Sequence, residues 1–552
     1  MRHRLYSSLT CMLVSVLASA LWGCDSGPGS TPDFEGEPET DNRHILYEEP
    51  DSGLPPDLPA DAPGGQAPVS GLRIQWAPCT LYTGQFLPMA ECGRFLAPLY
   101  RADQGGERIE LFIKRARASN SMEGSGQLWL LAGGPGLSAE ALEPLMGHMH
   151  ETYPHLDIYT VDHRGTGQSD RLSCPEAEHR DSEGGVMITL SEWSSCISGL
   201  KSRRWDQLAA FSTSDAAHDL ALAIERTRRP GQDVYIYGSS YGTWLALRYL
   251  QLYPQGSDGV ILDSVCPPGA CDLSAYDAWF DEAGHRLLDL CAEDQKCRSY
   301  MGADPMALAR RTLQAHEDGR CMPLVEKGID RGVVRRMLAS LLSSRDAWPY
   351  VPALIYRLGR CTAGDVSAIT HLYGLLSQSD ASPTSTIRRR SPVLFYHVGL
   401  SELWPEGVDA ETLSERVRDS VFSQDVTLTA SALADQWPRY PQPDVRWPAS
   451  GVPMLALQGG LDPQVPPKAV DVIDMHLGPR QHLVTLPWSG HQTLYDSPVH
   501  RGTHCAQQLM DQFLADPKAE LDTACVSDLV PVSFEADRLS PDMMWGTPDL
   551  WD

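Results

Sequence analysis

The chain has 552 residues, 42% of them hydrophobic and 21% charged, which is material for one large domain with an insertion or for two domains. Its 72 acidic side chains outnumber 45 basic ones and give a formal charge of −27. That balance excludes a nucleic-acid partner, because neutralising phosphates requires Lys and Arg; a solvated acidic surface is the simpler reading.

Residues 1–23 carry Arg2 and Arg4 and then an apolar run from about Leu9 to Leu21. The run is too short for a membrane-spanning helix and suits an export signal. Cys24, after Leu21, Trp22 and Gly23, resembles the cysteine that bacterial lipoproteins lipidate, with Trp22 a departure from that pattern. Two destinations follow: a bacterial envelope lipoprotein held to the membrane only through Cys24, or plain secretion. Residues 24–71 are rich in Pro, Gly and acids, with Arg43 the only basic residue, and read as a disordered tether.

Fourteen cysteines, less Cys11 and Cys24, leave twelve, an even number that would pair in an oxidising compartment. Proximity along the chain pairs Cys79 with Cys92, Cys174 with Cys196, Cys266 with Cys271, Cys291 with Cys297, Cys321 with Cys361, and Cys505 with Cys525. Zinc is the alternative use, but paired C-x-x-C knuckles are missing, so no metal is expected.

Three further segments are expected: residues 72–265 as the first part of an α/β core, 266–449 as a helical cap, and 450–552 as the second part of the core with a tail. Residues 94–100 and 109–113 alternate apolar with polar and predict antiparallel strands. Residues 127–132 (QLWLLA) predict a buried strand that stops at Gly133-Gly134-Pro135-Gly136, where backbone N–H groups can approach a ligand. The next buried strand, 156–161, runs into Asp162-His-Arg-Gly-Thr-Gly-Gln-Ser-Asp170, read as a well-made turn in which Asp162 and Arg164 could pair. Residues 213–227 predict a helix capped by Thr213 or Ser214.

Residues 233–250 (DVYIYGSSYGTWLALRYL) read as strand, sharp turn and helix, and the turn matches G-x-S-x-G with Ser240 at its centre. Gly259 to Ser264 is the sixth predicted strand. The helical stretch that follows, rich in Trp and Tyr, reads as a lid over the active face. Alternation resumes at residues 452–458, which end in Gly459-Gly-Leu-Asp462-Pro463, and at 482–486, which lead into Pro487-Trp-Ser-Gly-His491. Beyond about Asp528 the tail is loop-rich.

A serine nucleophile needs a base, an acid that orients the base, and N–H donors for the developing oxyanion. Strand ends supply Ser240, Asp462 and His491 in the order this fold uses. His482, His500 and His504 are rival bases, and Asp263 is a rival acid. The oxyanion donors are the N–H of Tyr241 and that of Gly134, with Gly133 as alternate. The fold class is therefore α/β, a mostly parallel central sheet with a large, mainly helical cap after the sixth strand.

The GGPG at Gly133, DHRGTGQSD at Asp162, GSSYG at Gly238, G-x-x-D-P at Gly459 and final SGH together resemble the prolyl and tripeptidyl aminopeptidase branch of the α/β-hydrolases. The similarity runs from about Leu72 to Val526 and includes Trp76, Cys79, Ala90-Glu91-Cys92 and the late Cys505 and Cys525. It implies a cofactor-free serine exopeptidase that releases residues from unblocked peptides, with the triad and oxyanion residues already named. It further implies a cap carboxylate for the substrate's α-amino group, and Glu402 stands where one would be expected. Ala132 departs from the histidine common in prolyl aminopeptidases. A carboxylesterase or lipase with the same triad, and a catalytically silent binding protein on this scaffold, are the competing readings. A serine at Ser240 argues against dehalogenase or epoxide hydrolase chemistry, which uses an aspartate nucleophile.

Overall fold

The computed structural model describes residues 74–80, 90–101, 106–120, 126–179, 181–185, 187–378, 389–537 and 539–552. The export signal, the tether and Cys24 lie outside the described residues.

Among the described residues nine strands form one sheet: β1 (Ala77–Pro78), β2 (Ala90–Pro98), β3 (Arg108–Ala116), β4 (Gln127–Leu131), β5 (Asp157–Val161), β6 (Val234–Ser239), β7 (Gly259–Asp263), β8 (Met454–Gly459) and β9 (Gln481–Leu486). Their spatial order is β1-β2-β3-β5-β4-β6-β7-β8-β9. The edge up to the β3–β5 pair is antiparallel, and every pair beyond it is parallel. The chain therefore lays β5 on one side of β4 and β6 on the other. The crevice at such a reversal, outside the carboxyl ends of the strands, is where open α/β sheets bind ligands.

Strands β4, β6, β7 and β8 are buried at every position, as expected of apolar runs covered on both faces. Their alternate residues enter two separate cores. Trp129, Leu131, Ile236 and Leu262 join one that includes Leu220 and Leu247. Leu128, Leu130, Tyr237 and Ile261 join another that includes Met146, Leu509 and Met510. Helices α1 (Glu143–Thr152), α2 (Thr213–Thr227) and α3 (Tyr241–Leu252) follow β4, β5 and β6 in turn; the sequence predicts the second and third but not the first.

Two local expectations are corrected. The N-cap of α2 is Ser212, whose hydroxyl accepts the Asp215 N–H, rather than Thr213 or Ser214. Asp162 and Arg164 do not pair with each other. The guanidinium of Arg164 makes a buried two-pronged contact with Asp219 on α2, at 2.7 Å for each bond. Asp162 instead accepts the N–H groups of Ala139 and Gln168, at 2.7 and 2.6 Å, and so ties its turn to the glycine loop after β4.

Between β7 and β8 the described residues are mainly helical, from α4 (Tyr276–Glu293) to α5 (Val426–Ala434), and the insertion has its own core around Leu287, Leu338 and Leu354. Counting the two-residue β1, it follows the seventh strand. The tail beyond Asp528 docks on this insertion. Trp551 stacks on Tyr300 with ring centroids 4.3 Å apart, and Arg357 donates to the carbonyls of Leu550 and Asp549. All six expected disulfides are present, with Cα atoms 5.0 to 5.8 Å apart. Six such bonds are the redox signature of an exported chain. No helix among the described residues is long and apolar enough to cross a membrane.

Candidate active site

Ser240 sits between β6 and α3 with φ 56° and ψ −125°, a backbone conformation that L-residues rarely adopt. The two glycines of the motif make that turn possible. A Cβ on Gly238 would lie 2.4 Å from the Gly242 carbonyl oxygen, and one on Gly242 would lie 2.4 Å from the Leu131 carbonyl oxygen. Any side chain at either place would push strand and helix apart. With both absent, the helix crosses close to the end of β4 and Ser240 projects at its head.

The glycine loop after β4 meets this serine directly: a Cβ built on Gly133 would be 3.6 Å from Ser240 Oγ. Gly134 (φ 109°) is the next residue and shares a cavity wall with Ser240. Tyr241, the first residue of α3, has a buried side chain, and its hydroxyl lies 2.7 Å from Thr213 Oγ1. The main-chain N–H groups at the start of a helix point away from it along the axis, which suits them to an anion.

Asp462 follows β8 and is fully buried. Its Oδ1 accepts the N–H groups of Gln464 and Val465 at 2.8 and 2.9 Å, and both of its oxygens lie within 3.0 Å of His491 Nδ1. The two backbone donors fix the carboxylate, and the carboxylate fixes the ring. Nδ1 is then the protonated nitrogen, and Nε2 is left as the basic one. Burial disfavours the imidazolium, but the charge and hydrogen bond of Asp462, with Asp263 and Asp496 farther off, outweigh it and lift His491 above the ordinary histidine value. Ser240 and His491 line the same cavity, which holds about 950 Å³ of space, open in part to solvent.

The rivals are placed elsewhere. His482 lies within β9, and His500 and His504 lie in the loop before the helix Cys505–Ala515; none of the three lines the cavity. Asp263 ends β7 but does not reach His491 Nδ1. Its carboxylate accepts Thr493 N–H (2.7 Å), Thr493 Oγ1 (2.9 Å), Leu494 N–H (3.2 Å) and Tyr237 OH (2.8 Å). Ser264 Oγ accepts the Gln492 N–H at 2.7 Å. Together they hold the loop that presents His491, a positioning role the sequence gives only as an acid at a strand end.

Glu402 is brought to a different place from the one the resemblance implies. It is buried, and its oxygens are taken by the N–H of Thr213 (2.9 Å), the indole N–H of Trp244 (2.9 Å) and the hydroxyl of Tyr440 (2.5 Å). It ties the insertion to the N-terminus of α2 and to α3, and it is not among the residues lining the cavity at Ser240. The insertion contributes other wall residues, including Tyr276, Phe280, Phe395 and Val426.

Residues 128–318 match the family model described as alpha/beta hydrolase fold, and residues 420–525 match the one described as TAP-like protein. The chain has the α/β-hydrolase fold. The chain is 28% identical over 270 residues to "Serine protease Hip1" of Mycobacterium tuberculosis, a match covering 44% of this chain and 50% of that protein. It thus spans about half the length of the curated relative. Solved structures with the fold include a proline iminopeptidase from Mycobacterium smegmatis (17% identity, 72% of this chain and 92% of that one, TM-score 0.34). Another is a thermophilic esterase from Thermogutta terrifontis (14% identity, 77% and 99%, TM-score 0.31).

Proposed function

We propose that this hydrolase is a serine peptidase that cleaves short peptides through an acyl-enzyme on Ser240. One observation carries the reading: a serine held at positive φ shares a cavity with an imidazole whose Nδ1 is bound to a buried carboxylate. In this mechanism His491 Nε2 takes the Ser240 proton as Oγ attacks the scissile carbonyl. The N–H groups of Tyr241 and Gly134 receive the oxyanion, each worth on the order of 3 kcal/mol of barrier. The imidazolium then protonates the leaving amine, and water hydrolyses the acyl-enzyme by the same steps in reverse roles. The helical segment 266–449 acts as the lid.

The finer reading is action from a free amino terminus, supported by the TAP-like match and by the motifs quoted above. Export with a lipid anchor on Cys24 belongs to the same proposal, and incorporation of labelled palmitate that Cys24→Ala abolishes would support it. An esterase with the same triad is the second reading, favoured by the apolar side chains of Tyr276, Phe280, Phe395 and Val426 in the wall. The test is a panel of prolyl, alanyl and tripeptidyl amides, free and N-acetylated, beside short and long acyl esters. The proposal expects the unblocked amides to turn over, with loss on acetylation and in Ser240→Ala; fast esters with no difference between free and blocked amides would refute the aminopeptidase reading.

A further inference from the structure

The polar groups in the wall around Ser240 are nearly all spoken for. Ser343 Oγ donates to the Ala339 carbonyl, and Ser391 Oγ donates to the Leu172 carbonyl. Gln464 Oε1 accepts the Tyr276 hydroxyl at 3.2 Å, and Gln492 Nε2 donates to Ser239 Oγ at 3.0 Å. Gln424 differs. It lines the same cavity and is 2% exposed, yet neither Oε1 nor Nε2 has a hydrogen-bond partner among the described residues.

Enclosed carboxamides are ordinarily paired, so an unpaired one at a substrate cavity calls for a reason. Its main chain is held firmly. The Gln424 N–H donates to Asp277 Oδ1 at 2.6 Å, Ser423 Oγ donates to the same oxygen at 2.9 Å, and the Thr427 N–H donates to Asp277 Oδ2 at 2.7 Å. Asp277 is fully buried in the first turn of α4, beside the wall residue Tyr276. A rigid base thus carries a carboxamide with its hydrogen-bonding capacity unspent, the arrangement of a pre-organised binding group.

We propose that Gln424 is a substrate-binding residue that docks the main chain of an extended peptide. A carboxamide offers an N–H donor and a C=O acceptor side by side. In an extended chain the N–H and C=O of one residue point to the same edge, so that residue can give its N–H to Oε1 and accept from Nε2, as two strand residues do in a hydrogen-bonded pair. A simple acyl ester has no N–H to give. Gln424 would therefore select peptides over esters without any charged partner for the amino terminus. The inference rests on the peptidase reading above.

Gln424→Leu keeps the bulk and removes both polar atoms. The purified protein and this variant are compared on tri-alanine p-nitroanilide, on p-nitrophenyl acetate, and by thermal unfolding. The expected result is a loss of about tenfold or more in kcat/KM on the anilide, with acetate turnover unchanged and the melting temperature equal or higher, because an unpaired buried amide is removed. An equal loss on both substrates, no loss on the anilide, or a fall in melting temperature would overturn the assignment of Gln424 alone. Wild-type protein that turns over the acetate through Ser240 but no peptide amide would overturn the peptidase reading, and this assignment with it.

Discussion

On the proposed mechanism, turnover at the residue scale depends on the proton of His491, since only the neutral ring can accept from Ser240. Asp462 lifts the imidazole above its ordinary value of about 6.5, so activity is lost on the acid side from a pH above that value downward. Asp462→Asn removes the charge that favours the imidazolium and the acceptor that fixes Nδ1–H. We expect the acid limb of kcat/KM to move to lower pH and kcat to drop by about 10⁴, the size such a change has in a serine protease triad. An unmoved limb in that profile would mean another group titrates. Asp263→Ala is expected to act differently. It strands the N–H groups of Thr493 and Leu494, so the loop behind His491 loosens; we expect about 2 to 3 kcal/mol lost in urea unfolding together with reduced kcat. The contact of His491 with Asp462 and the cavity that His491 shares with Ser240 could be anticipated from strand ends because each residue follows a buried apolar run. The place of Glu402 could not. Its partners Thr213 and Trp244 are 189 and 158 residues away, and nothing local distinguishes a carboxylate that binds an amine from one that caps a helix and receives an indole.

Among the elements, the elbow joining β6 to α3 is the most constrained. Gly242→Ala places a Cβ against the Leu131 carbonyl, so α3 must shift and carry Ser240 with it. A displacement near 1 Å costs about 10² in rate, and we expect that order of loss in kcat with a lowered melting temperature. An alanine variant with unchanged kinetics would show that the turn has slack. Strands were legible at this scale because their periodicity is local, and the predicted runs at 127–132, 234–237 and 259–264 fall on β4, β6 and β7. The two-residue β1 was not, since two paired residues leave no periodic signal. The capping of α2 by Ser212 rather than Thr213 is a shift of one position within a run of three hydroxyl residues, a choice made by which hydroxyl meets the Asp215 N–H.

For the whole molecule, the insertion is held from two sides, by its disulfides and by the tail. Cys321–Cys361 closes the longest of the six loops, with a sequence separation of 40, and Cys266–Cys271 the shortest, with a separation of only 5. On chain entropy alone the first is worth about 4 kcal/mol and the second about 2. Replacing each pair by serines should therefore destabilise the protein in that ratio in urea unfolding, and equal losses would contradict it. Every pair was legible because each cysteine bonds its neighbour along the chain. The docking of the tail was not, because Arg357 meets the Leu550 carbonyl 193 residues away and the tail has no periodicity of its own. The central claim concerns where covalent chemistry occurs, and an active-site phosphonylating reagent reads it directly. Treated with a fluorophosphonate and mapped by mass spectrometry, the protein should carry one adduct, on Ser240, with labelling and turnover lost together in Ser240→Ala; an adduct on Ser239 or elsewhere, or full turnover by Ser240→Ala, would contradict the account.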